Sequence, residues 1–190
     1  LLEAFAKLRT ERDVELLLVT KPKPGGRTEK LIDKLSIGDA VRFVHGISDA
    51  ELVALMGSAE VACVPSFYEG FSLPTAELMA CATPLIVSRA GAIPEVVGPD
   101  GLCADLVTPG DVGELEQALA SLLDDPERRE RMGRAGRQRV EEMFSWRAVA
   151  VKVAAAYEQV VASWHAEGPM PDPGRKGRRT KKWSAARADR

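Results

Sequence analysis

Five short apolar runs, separated by stretches of helical periodicity, constrain this chain more than anything else in it. They are residues 15–20 (ELLLVT), 41–46 (VRFVHG), 61–66 (VACVPS), 83–88 (TPLIVS) and 102–107 (LCADLV). Each is rich in Val, Leu or Ile, and several lack strict apolar–polar alternation, the pattern of strands covered by helices on both faces. Helical periodicity predicts helices at 28–35, 49–58, 73–81 and 93–97, then longer ones at 111–123, 126–143 and 146–165. Residues 1–8 resemble the middle of an amphipathic helix. Asp49 and Asp111 suit helix N-caps, and Pro126 suits a first turn. Repeated strand–helix units predict an α/β fold: one doubly wound parallel sheet from residue 15 to residue 107, with right-handed crossovers.

At 190 residues the chain is long enough for one such domain and short for two. The predicted domain covers residues 1–166. Val149, Val153, Tyr157, Val160 and Val161 form a one-sided stripe on its last helix, which is therefore expected to dock on something. Residues 167–190 change composition abruptly, with three prolines leading into a Lys/Arg run from Arg175 onward. This tail is expected to be disordered, since it has little apolar surface to bury. The formal charge of −2 thus combines an acidic body with a basic end. An acidic body argues against nucleic acid as the main partner, while the basic tail leaves room for peripheral membrane contact. Cys63, Cys81 and Cys103 are isolated within apolar segments, without metal-ligand spacing. They are expected to be buried, reduced thiols, which points to a cytoplasmic location.

In open parallel sheets, ligands bind beyond the carboxyl ends of the strands. The richest such place is the loop after 61–66, Phe67-Tyr68-Glu69-Gly70-Phe71-Ser72-Leu73-Pro74. A turn at Gly70 leads into a helix with Pro74 in its first turn. Backbone N–H groups at Phe71, Ser72 and Leu73 would then face outward, with the positive end of the helix dipole behind them, ready for a phosphate or diphosphate. Glu69 lies before this turn and Glu77 about one helical turn inside it. Carboxylates so placed suit hydroxyl groups rather than phosphate: a sugar on one side, a ribose on the other. On these residues alone, a helix glutamate and a solvated loop acid read as well.

The segment EGFSLPTAE resembles the E-x7-E signature of the retaining family-4 glycosyltransferases, which have the GT-B fold of two Rossmann-like domains around a cleft. VRFVHGISDAEL, AEVACVPS, ACATPLIVS, GAIPEVV, GLCADLVTPGD, LLDDPERRERMGRAGRQRV and FSW match further family segments in order, over roughly residues 1–166. The resemblance implies that Glu69 contacts the transferred sugar and takes the catalytic position. It gives Glu77 the nucleotide ribose, and Gly70, Phe71, Ser72 and Leu73 the sugar and diphosphate. Ile47, with Asp49 beside it, would border the base. Ser72 stands where the family has Gly, His45-Gly46 shifts a glycine by one place, and Ala92 replaces the second Gly of a GG-x-PE segment. His45 is read as a strand-end histidine with a structural hydrogen bond, Lys21 and Lys23 as a solvated loop, and Tyr68 as packing beside the site.

The resemblance further implies the GT-B carboxyl-terminal half without the strand that opens it and without the acceptor domain. Loss of that strand, central in the family's order, would open a gap in the sheet. The expected partners are a nucleotide diphosphate sugar donor, a glycan, lipid or small-molecule acceptor, and the acceptor domain. No metal and no cofactor is expected, because helix dipoles and basic residues would stabilise the leaving diphosphate. The expected function is therefore transfer of a hexose with retention at the anomeric carbon, the isolated chain being inactive. A non-catalytic remnant that binds nucleotide weakly, and a GT-B sugar-nucleotide epimerase, are the alternatives.

Overall fold

A computed structural model describes residues 1–167. Its elements run α1 (Leu2–Leu8), β1 (Leu16–Val19), α2 (Arg27–Leu35), β2 (Val41–Val44), α3 (Asp49–Ser58), β3 (Ala62–Val64), α4 (Leu73–Ala80), β4 (Leu85–Ser88), α5 (Ile93–Val97), β5 (Asp105–Val107), α6 (Val112–Asp124), α7 (Pro126–Met143) and α8 (Trp146–Glu167). This is the expected α/β order. Each strand is shorter than its apolar run. Pro65, with no N–H to donate, follows β3. A turn closed by Gly101 N–H on the Ala104 carbonyl (2.8 Å) keeps residues 102–104 out of β5.

All pairings are parallel, but they do not make one sheet. β1 pairs with β2, Leu16 opposite Val41, while β3, β4 and β5 form a second ladder with β4 central. The expectation of a single sheet from 15 to 107 is thus corrected: no ladder joins β1 and β2 to β3, β4 and β5 among the described residues. Side chains carry the core across this break. Ala4 and Leu8 of α1 pack with Ile86 of β4 and Val107 of β5, while Phe5 packs with Ile32, Ile37 and Val41 beside the β1–β2 pair. Val14 touches both clusters.

Alternation along β4 shows the double winding. Leu85 and Val87 face Leu78 and Met79 of α4 and Ile93 and Val96 of α5; Ile86 faces Leu115, Leu119 and Leu122 of α6. Successive side chains leave a strand on opposite sides, so a strand buried at all four positions must be covered on both faces. α7 packs against α4 through Gly136, beside Met79, and tightly against the turn after α4 through Gly133, where an added Cβ would lie 2.1 Å from the Ala82 carbonyl oxygen.

Asp111 caps α6 by accepting from Glu114 N–H (2.9 Å), and Pro126 opens α7. At α3 the cap is Ser48 rather than Asp49. Its Oγ accepts from Glu51 N–H, and Glu51 in return accepts from Ser48 N–H at 2.7 Å, a capping box. Residues Leu1–Ala148 form one compact unit, and a second begins at Val149. The stripe Val149, Val153, Tyr157, Val160 and Val161 on α8, expected to dock, is exposed. The predicted disordered basic tail lies outside the described residues.

Candidate donor-binding site

The carboxyl end of β3 leads through residues 65–72 to the amino terminus of α4. Glu69 occupies this loop half-buried. Two contacts hold it. Ser66 Oγ donates to its carboxylate Oε1 at 2.8 Å, and Ala92 N–H, in the loop after β4, donates to its carbonyl at 3.0 Å. Gly91 beside Ala92 has φ +54°, and a Cβ there would sit 2.0 Å from that same carbonyl oxygen.

The turn into α4 is made by Ser72 and not by Gly70. Ser72 takes the left-handed conformation (φ 69°, ψ 74°) and is buried. That conformation is costly for a residue with a Cβ. Its Oγ lies 2.7 Å from the equally buried Thr75 Oγ1, a local hydroxyl pair of the kind that offsets such a cost. The N–H groups of Phe71, Ser72 and Leu73 donate to nothing among the described residues, and no acid occupies the first turn of α4. Three unused donors at the positive end of a helix form an anion-ready edge. The Phe71 ring rests edge-on against Phe144, at the end of α7, with centroids 5.4 Å apart.

Glu77 lies on the second turn of α4, about 6 Å along the axis from Leu73, its side chain exposed and without a partner among the described residues. Glu69, Gly70, Phe71, Ser72, Leu73 and Glu77 are therefore gathered in one loop and helix. Ile47 is not joined to them: it lies after β2, in the other ladder, with no hydrogen bond to residues 69–77. His45 is exposed and makes no hydrogen bond among the described residues, so the structural bond expected of it is absent. Lys21 and Lys23 are exposed, as expected of a solvated loop. Tyr68, expected to pack beside the site, is 80% exposed.

Ser66, Thr75, Gly91 and Phe144 carry no signal in periodicity or spacing, because each meets the site through a tertiary contact or a backbone turn. The cysteines are free, but only Cys103 is fully buried; Cys63 and Cys81 are half-buried. Desolvation pushes the Cys63 thiol up to about 12, which leaves it un-ionised and inert. Among the described residues no three His, Cys, Asp or Glu side chains converge as metal ligands would, and no helix is long and apolar enough to cross a membrane. A concavity of about 490 Å3 is lined by Glu3, Lys7, Thr10 and Leu35 among others and by none of the site residues. Phe67, Tyr68, Gly70, Phe71 and Leu73 are all exposed, so the site presents an open face.

A parallel α/β unit with its polar loop at the carboxyl end of a strand and an anion-ready helix terminus has the architecture of a GT-B glycosyltransferase domain. The chain belongs to the family of glycosyl transferases group 1, whose model matches residues 1–139. It is 60% identical over 162 residues to the MMP alpha-(1->4)-mannosyltransferase of Mycolicibacterium hassiacum, covering 85% of this chain and 39% of that protein. Among solved structures, sucrose-phosphate synthase from Thermosynechococcus elongatus superposes with a TM-score of 0.73 at 34% identity, over 85% of this chain and 42% of that one. HepE of Anabaena, solved in complex with UDP-glucose, shares the fold at 20% identity, with a TM-score of 0.70 over 83% of this chain and 44% of its own. The chain thus spans about two fifths of the length of these relatives.

Proposed function

We propose that this chain is the donor-binding half of a retaining hexosyltransferase that uses a nucleotide diphosphate sugar. The observation that carries the reading is the junction of Glu69 with the amino terminus of α4: a fixed carboxylate directly beside three unused N–H donors. A carboxylate accepts from sugar hydroxyls, and N–H groups at a helix terminus hold the diphosphate. In this reading Glu69 orients the transferred sugar, and Phe71, Ser72 and Leu73 hold the diphosphate through their backbones. Gly70 leaves room for the donor, Glu77 accepts from the ribose hydroxyls, and Ile47 borders the base. The helix dipole stabilises the charge that develops on the leaving diphosphate, with no metal asked to do so. Identity of 60% to a mannosyltransferase across this half supports mannose as the hexose. The acceptor is held by the rest of the full-length protein, since an open face cannot by itself orient an attacking hydroxyl.

The test is to supply the full-length protein with GDP-mannose, UDP-glucose or ADP-glucose and candidate acceptors in EDTA, and to assign the anomeric configuration of the product by NMR. Transfer with the donor's configuration kept is expected. An inverted product, activity only with added divalent metal, or epimerised donor as the sole product would overturn the proposal.

A further inference from the structure

We propose that Gly91 and Ser66 are positioning residues for Glu69, and that the β4–α5 loop acts as its backbone brace. This deepens the reading above and rests on Glu69 being the sugar contact. Glu69 stands in a loop that no regular ladder fixes, between the end of β3 at Val64 and the start of α4 at Leu73. A carboxylate in such a loop can orient a substrate only if something else fixes it. Two elements do so independently. Ser66 Oγ donates to Oε1 at 2.8 Å and sets the carboxylate's rotation. The β4–α5 loop fixes the main chain: Ala92 N–H grips the Glu69 carbonyl at 3.0 Å.

Gly91 makes that grip possible. Its φ of +54° is strained for a residue with a side chain, and a Cβ would fall 2.0 Å from the Glu69 carbonyl oxygen and 3.0 Å from its carbonyl carbon and its nitrogen. The obstacle is backbone, so a methyl group there is accommodated only by moving the Glu69 main chain and the 90–92 loop apart. The loop itself is anchored: Ala90 is buried and donates its N–H to the Ser88 carbonyl at 2.8 Å, and Ile93 begins α5 inside the core. The neighbouring Ala92 has φ −86° and ψ 0°, which an ordinary residue adopts, so the family's second glycine is dispensable here and the first is not. Burial in the core of β4 and α5 is thereby transmitted to the carboxylate at the surface.

The experiment compares Gly91→Ala, Ser66→Ala, Ser66→Thr and Glu69→Ala in the full-length protein, reading kcat, donor KM and the Kd of free GDP and UDP. Displacing an orienting group by about 1 Å costs on the order of 10²-fold in rate. Gly91→Ala is therefore expected to lower kcat by about that factor, and Ser66→Ala by about tenfold, the loss of one hydrogen bond to a charged group. Free nucleotide affinity should stay within about twofold, and Ser66→Thr should recover most of the rate by restoring the hydroxyl. Loss of nucleotide affinity in step with kcat would make both residues merely structural and overturn the proposal. So would near-wild-type kcat in Gly91→Ala and Ser66→Ala while Glu69→Ala collapses. Turnover that survives Glu69→Ala would instead overturn the sugar-contact reading, and with it this one. If Gly91→Ala does not fold, Ser66→Ala and Ser66→Thr decide alone.

Discussion

The β3–β4–β5 half and the β1–β2 half of this unit are built to different standards. In the first, β4 is buried at every position, between α4 and α5 on one face and α6 on the other. The loop that leaves β3 is tied to that core through Ala92 and braced internally by Ser66. In the second, β1 alternates half-buried and exposed residues, with Val19 54% exposed, and α3 buries no residue fully. Ile47 and His45, at the carboxyl end of that half, have no comparable ties among the described residues. A strand with helices on both faces transmits rigidity to the loops at its end; a two-stranded ladder next to an interruption does not. In the proposed reading, the sugar and diphosphate positions are therefore the prebuilt ones and the base position the adaptable one.

The largest effect expected from this contrast concerns the whole reaction. The 190-residue chain assayed alone should transfer no sugar to any acceptor, while the full-length protein should turn over; measurable transfer by the chain alone would mean that the prebuilt half suffices. Next comes the core. Ile86→Ala should cost about 2–5 kcal/mol in chemical denaturation, whereas Leu17→Ala, 39% exposed on β1, should cost about 1 kcal/mol or less. Amide exchange should likewise be slower in β4 than in β1, and equal protection would erase the contrast. At the level of binding, Glu77→Ala should weaken nucleotide affinity by about 1–3 kcal/mol, the scale of a hydrogen bond to a charged group. Ile47→Ala should weaken it by less, since an adaptable loop can re-pack around the base. Calorimetric titration of the two variants checks the ranking, and the reverse order would place the main nucleotide contact in the open half.

The smallest effect is local to α3 in the open half. Bonds from the Ser48 backbone N–H and hydroxyl hold the Glu51 carboxyl below the usual glutamate value. A carboxyl lowered in the folded state adds stability above its unfolded pKa and loses it as pH falls through the folded value. Exchange protection at the start of α3 should therefore be constant from neutral pH into the ordinary glutamate range and decline only below it. Glu51→Gln should abolish that acid-side decline.

The sequence by itself determined the element order, because periods of 2 and 3.6 are local properties of the chain. It placed the polar loop after the third strand and brought Glu69, Phe71, Ser72, Leu73 and Glu77 together, since they share one loop and one helix. The Asp111 and Pro126 helix starts were legible for the same reason. Only the tertiary structure decided the rest. Strand pairing is a non-local choice, so the split into β1–β2 and β3–β4–β5 could not be read from apolar runs that look alike. The choice of Ser48 over Asp49 as the cap turned on one residue's backbone angle. Gly91 reads in the sequence as the glycine kept from a GG-x-PE segment, with no contact assigned to it. Its meaning comes from the Glu69 carbonyl, which lies 22 residues earlier in the chain and is brought against it by the pairing of β3 with β4.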